Sequence, residues 1–155
     1  MGATHGYFIN NPARRLLTLR QDFSSVFAKL LRSPANTQIS IALSDRNMPL
    51  FAKGRTLTIT RAALVLRTAS GVAPVGFAMT VDGTALAAPV LDPTLGNLPM
   101  SPLPGAFTAN LYSNHVLVVT AGGSLAQTAP PPGDTSAIDA KQLLDVFIYL
   151  EYQFQ

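Results

Sequence analysis

A chain of 155 residues is long enough for one domain with a real hydrophobic core. It is 48% hydrophobic and only 12% charged, against about 25% charged in ordinary soluble domains, so its surface is apolar, rich in uncharged polar groups, or covered by a partner. The absence of cysteine excludes disulfides, thiolate nucleophiles and Cys-based zinc sites, and there is no run of about 18 apolar residues that would span a membrane as a helix.

The net charge of +3 is unevenly placed. Residues 1–67 hold ten Lys/Arg against two Asp, whereas residues 68–155 hold one Lys against five Asp and one Glu. Such asymmetry implies an anionic partner, or attraction between the two halves within a chain or between subunits. The basic residues are dispersed and have no aromatic platform between them, so nucleic acid is not the expected partner. Arg14-Arg15 is not an export signal, because Thr18, Arg20 and Asp22 soon interrupt the apolar run.

Residues 1–15, Gly/Asn-rich and carrying His5, Tyr7 and Phe8, are expected to form an N-terminal arm. Leu17 and Leu19 alternate with polar neighbours and read as a short extended start. Asp22 is placed to cap a helix over Arg20 to Leu31, whose apolar stripe is Phe23, Val26, Phe27, Leu30 and Leu31. Ser33-Pro34 ends it. This stripe is expected to plug one end of a β-core rather than to dock in a partner's groove.

Beyond Pro34 the period becomes two. Ile39, Ile41 and Leu43 form one strand, and Asp45 to Gly54 form a loop. Arg55 to Arg67 form a long strand whose parity changes near Arg61-Ala62-Ala63, which predicts a bulge or bend. Phe77, Met79 and Val81 alternate before a turn at Asp82-Gly83. Ala85 to Pro104 reads as a Pro-rich connection. Phe107, Ala109 and Leu111 read as a strand, and so does His115 to Thr120. Ala129 to Gly133 is a stiff loop. In the last strand, Val146, Ile148, Leu150, Tyr152 and Phe154 share one face, with Phe147, Tyr149, Glu151 and Gln153 on the other. No Lys, Pro or bulge blunts it, so it is expected to lie inside its sheet or to pair with another chain. The prediction is an all-β antiparallel β-sandwich of about seven or eight strands with one short α-helix in the N-terminal half. Residues 16–155 would form its single domain, with a closed barrel as the alternative.

The chemistry is sparse. Glu151 is the only Glu, and Asp139 and Asp145 flank Lys141 as a solvated approach to the last strand. His5 and His115 are the only imidazoles. Nothing resembles a nucleophile elbow, a phosphate-binding loop or a calcium loop. The chain therefore reads as a non-enzyme, with no catalytic or metal-binding residue and no cofactor.

Four segments carry a resemblance: "LLTLRQDFSSVFAKLL", "ISIALSDRNMPLFAKGRTLTITRAALVLRT", "LDPTLGNL" and "LLDVFIYLEYQF". In their order and spacing they resemble the C-terminal region of TcA-type subunits of bacterial Tc toxin complexes, over roughly residues 16–155. The carriers are Leu19, Arg20, Asp22 and Phe23, then Leu43, Ser44, Arg46 and Pro49, then Gly54, Arg55 and Thr56, and finally Leu144, Asp145 and Tyr152. The chain departs from the family where Phe23 is followed by Ser24-Ser25 without Trp, and where Met48 stands for the Phe that often precedes the loop Pro. A TcA subunit is far longer than this chain, which would correspond to an excised region or to a small stand-alone relative.

The resemblance implies a non-catalytic docking and assembly role, receiving the TcB–TcC cocoon in a secreted or extracellular toxin assembly. The implied partner is a TcB-like β-propeller or the chain's own subunits as a homo-oligomer. The residues expected to face a partner are Arg46, Lys53, Arg55, Tyr149 and Gln153. Two alternatives compete: a carbohydrate-binding β-sandwich, with Tyr112 and Tyr149 as platforms for a glycan, and a structural protein of a virion or tail-like particle.

Overall fold

The two longest period-two stretches of the sequence lie side by side at the centre of the larger of two antiparallel sheets. The computed structural model describes residues 13–48, 57–70 and 72–154. In chain order the elements are β1 (Ala13–Thr18), α1 (Leu19–Asp22), α2 (Ser24–Arg32), β2 (Ile39–Ala42), β3 (Leu57–Thr68), β4 (Ala78–Val81), β5 (Thr84–Ala85), β6 (Val90–Asp92), β7 (Leu98–Pro102), α3 (Gly105–Ala109), β8 (Asn114–Ala121) and β9 (Leu143–Phe154). One sheet has the order β1-β9-β3-β7-β6 and the other β2-β8-β4-β5. The fold is an all-β sandwich, as the alternation predicts, with nine strands among the described residues rather than seven or eight.

The layers follow from strand parity. Val146, Ile148, Leu150 and Tyr152 of β9 are buried in the same core as Leu64 and Leu66 of β3, Ile39 and Ile41 of β2, Met79 and Val81 of β4, and Leu117 and Val119 of β8. β9 lies between β1 and β3, so its edges are satisfied within the chain. β1 begins at Ala13 and pairs Ala13 to Arg15 with Tyr152 to Leu150, so the sheet takes up the last residues of the segment expected to be an arm. The parity change in β3 is a register shift between Ile59 and Arg61, close to the expected place.

The expected helix is two helices, and Asp22 caps neither in the expected way. Thr18 opens α1: its Oγ1 accepts the Gln21 N–H at 2.9 Å, while Asp22 Oδ2 accepts the Thr18 N–H at 2.9 Å. The chain breaks at Phe23 (φ −139°, ψ 56°) and resumes as α2, with Phe27 and Leu30 buried in the main core and Phe23 and Val26 packed against it. Ser33, before Pro34, is extended as expected.

Two sequence expectations fail. Residues 85–104 are not a plain connection. They hold the β6–β7 hairpin, joined by a 3-10 turn at Pro93–Leu95 with Gly96 and Asn97 at positive φ. Each of its pairings spans only three residues, short enough to tolerate Pro99 and Pro102. Nor is Phe107 to Leu111 a strand. Pro104 starts the one-turn helix α3, which buries Phe107 and leaves Ala109 exposed, and Leu111, just past the end of the helix, is buried as well.

Candidate functional site

The first candidate is a group that no sequence motif announces. Asp82 and Gly83, both at positive φ, form the two-residue turn between β4 and β5. This turn brings the Asp82 carboxylate to β8. Asp82 Oδ1 accepts the Val116 N–H at 2.8 Å, and Oδ2 lies 2.7 Å from His115 Nδ1. Ser113 Oγ lies 3.5 Å from His115 Nε2, which completes a Ser–His–Asp set. Ser113 also lines an open cleft of about 380 Å³ with Leu57, Ile59, Thr108 and Tyr112.

The hydrogen bonds argue against a relay. The Leu111 carbonyl, which only accepts, lies 2.9 Å from Nε2, so Nε2 carries a proton and donates it there. A general base would need that nitrogen free to accept the serine proton. Ser113 Oγ instead donates to the Asn110 carbonyl at 2.6 Å. His115 is 1% exposed, and its ring lies 4.1 Å, centroid to centroid, from that of Phe107. The imidazole is a clamp that ties α3 and the start of β8 to the Asp82 turn.

The second candidate is the outer face of the five-stranded sheet. Past the register shift, Arg61, Ala63, Val65 and Arg67 of β3 point outward, opposite Glu151, Tyr149, Phe147 and Asp145 of β9. Ala63, Val65 and Tyr149 are buried under Leu95, Leu98, Met100 and Phe147. The tip of the β6–β7 hairpin therefore lies over this face, held by one guanidinium. Arg61 pairs with Asp92, donates to Thr94 Oγ1 at 3.2 Å, pairs with Glu151 at 3.4 Å and lies 5.6 Å above the Tyr149 ring. Tyr149 Oη donates to Glu151 at 3.0 Å.

The charges respond to this arrangement. Hydrogen bonds from the Thr94 hydroxyl and N–H, and then from Arg61, hold the Asp92 carboxyl below its usual range. Burial works against the Arg61 charge, but its bonds to Asp92 and Glu151 outweigh that and raise it above its ordinary value. Burial pushes the Tyr149 phenol up, and its bond to Glu151 adds to this.

Of the five residues expected to face a partner, three lie among the described residues, and two of these, Tyr149 and Gln153, share the outer face of β9. Arg46 is exposed in the 3-10 turn Asp45–Asn47, which Ser44 caps. Lys53 and Arg55 lie outside the described residues. Gln153 is half-buried on the outer face of β9, opposite Thr58. Tyr149 does sit on that face, but it is 6% exposed beneath Arg61 and offers no open ring to a sugar or a partner. Tyr112, the other expected sugar platform, is exposed. Sequence reading missed Arg61, Asp92 and His115 because their partners lie 31 to 33 residues away or more. The parity change near Arg61 was the one available signal. Among the described residues there is no cluster of three His, Asp or Glu positioned for a metal, and no helix long and apolar enough to cross a membrane.

Compared with protein-family models, curated proteins and solved structures, the chain matches none.

Proposed function

We propose that this chain is a non-catalytic docking and assembly domain that works by protein–protein contact. The observation that carries this reading is how its polar groups are spent. Nearly every described carboxylate accepts a hydrogen bond within the chain, including Asp22, Asp82, Asp92, Asp134, Asp139, Asp145 and Glu151. The serine–histidine–aspartate set found among the described residues has its histidine committed to a backbone carbonyl. Leu16, Val75, Val90, Leu91 and Tyr112, by contrast, stand exposed on a surface with few charges. The TcA-type resemblance suggests the partner, a TcB–TcC cocoon or a TcB-like β-propeller, and the chain's own subunits are the second choice.

The test is a binding measurement with purified TcB–TcC cocoon, alongside sedimentation of the chain alone over a wide concentration range. The docking reading expects a stoichiometric complex with the cocoon or a defined oligomer. A strict monomer at high concentration that also ignores the cocoon would remove the reading's support.

A further inference from the structure

We propose that the outer face of β1, β9 and β3 docks a protein surface that has an apolar centre and carboxylates at both ends. The inference rests on the docking reading above and names the face and the chemistry of what it binds. Strand register orders the face in rows. Arg14 lies beside Glu151 and Arg61, then Leu16 beside Tyr149 and Ala63, then Thr18 beside Phe147 and Val65, and finally Asp145 beside Arg67. Ala63, Val65 and Tyr149 are buried, so what the middle rows leave open is the β1 side, where Leu16 is 47% exposed and Phe147 half-buried as a short apolar strip. Arg14 and Arg67 mark its two ends, six residues apart on β9 register, or about 20 Å at strand rise.

Both end cations are unspent. Among the described residues, the guanidinium groups of Arg14 and Arg67 make no hydrogen bond or ion pair, although the Arg14 charge is felt by the Tyr149 phenol. The carboxylates of the face are committed elsewhere. Glu151 serves Tyr149 and Arg61, and Asp92 serves Thr94 and Arg61. Asp145 is buried and accepts the N–H groups of Arg20 and Val146. Arg20, at the Arg67 end, spends one N–H on the Leu144 carbonyl, which leaves its charge unbalanced. An incoming carboxylate at either end thus meets a cation without displacing an internal one, around an apolar centre that excludes water.

The same arrangement selects the occupant. A second copy docked face to face about a two-fold axis would set one arginine end against another, which like-charge repulsion opposes. Nucleic acid would desolvate its phosphates against Leu16 and Phe147, and with Tyr149 covered by Arg61 it would find only the half-buried ring of Phe147 rather than a stacking platform. A protein surface with acidic ends satisfies both the strip and the cations.

The test uses the whole, isotope-labelled chain and two short synthetic peptides that share an apolar centre, one ending in Glu and one in Lys. The expected result is that the Glu-ended peptide moves the amide signals of Leu16, Thr18 and Phe147. Its affinity should fall about tenfold between low salt and 0.5 M salt as the end charges are screened. The Lys-ended peptide should move nothing, and Arg14→Glu with Arg67→Glu should reverse the preference. Equal response to both peptides, shifts confined to the other sheet, or tighter binding of a DNA duplex to this face would overturn the proposal. The cocoon separates this proposal from the docking reading. Undiminished cocoon binding by the double variant overturns the assignment of the face and leaves docking intact. Peptide discrimination without cocoon binding supports the face and removes that partner.

Discussion

Replacing His115 by Ala tests whether the Ser113–His115–Asp82 group is a clamp or a relay. The substitution removes a 2.7 Å bond to a carboxylate and a 2.9 Å bond to a buried carbonyl, and it deletes a ring packed at a tilt against Phe107. A bond to a charged group contributes about 1.5–3 kcal/mol and a neutral one about 1 kcal/mol. Adding the lost packing, the variant should lose about 3–5 kcal/mol, a large part of the roughly 5–15 kcal/mol of a whole domain. For a domain of this size that is a melting-point fall of roughly 10 °C. Ser113→Ala removes an exposed bond to the Asn110 carbonyl and a long 3.5 Å contact to His115 Nε2, and should stay within about 0.5 kcal/mol. Urea unfolding measures both, and a fluorophosphonate probe asks whether Ser113 is an activated nucleophile. Labelling of Ser113 in the wild type that Asp82→Asn abolishes, or a His115→Ala variant as stable as the wild type, would refute the clamp.

Phe27→Ala should cost about 3–5 kcal/mol in the same unfolding assay, because its ring lies in the main core rather than on a docking surface. An unchanged midpoint would contradict that placement. Leu150→Lys, which puts a charge on the core face of β9, should unfold the domain in far-UV spectra. Gln153→Lys on the opposite face should leave stability within about 0.5 kcal/mol. The lowered Asp92 carboxyl contributes stability that is fully present above the ordinary carboxylate range and lost as pH falls through its lowered value. Melting points should therefore hold from neutral pH to about 5 and fall below about 4, less steeply in Asp92→Asn; identical acid profiles would remove the Arg61–Asp92 contribution. Gly123→Ala should destabilise strongly, since a Cβ there would lie 2.3 Å from the Val75 carbonyl oxygen at a positive φ. A thermal scan showing no loss would contradict the close backbone approach.

What was legible in the sequence was what depends on local period. The alternation of β9, the parity change in β3, the stripe of α2 and the Asp82-Gly83 turn all come from side-chain spacing that one element fixes by itself. The β6–β7 hairpin was hidden because prolines usually mark a break, and here they sit in pairings only three residues long. α3 was hidden because Phe107, Ala109 and Leu111 fit a period of two, while the helix itself buries only Phe107. Both polar groups depend on tertiary proximity: Arg61 meets Asp92 and Glu151, and His115 meets Asp82, only after the sheets form. Tyr149 was placed on the correct face by parity, but its cover is a guanidinium on the neighbouring strand.

The position of β9 also sets an order of events. The last strand in the chain is the second strand of the five-stranded sheet, bonded to β1 on one side and to the central β3 on the other. During synthesis, β1 and β3 leave the ribosome long before the strand that joins them, and neither has the other as a neighbour. Until β9 emerges, β1 has no native partner in that sheet and β3 has only its three-residue pairing with β7, so their apolar faces are open to aggregation or chaperone capture. Closing a loop of about 130 residues between β1 and β9 places the chain among slow, high-contact-order folders, with collapse to the native sheet in milliseconds to seconds rather than microseconds.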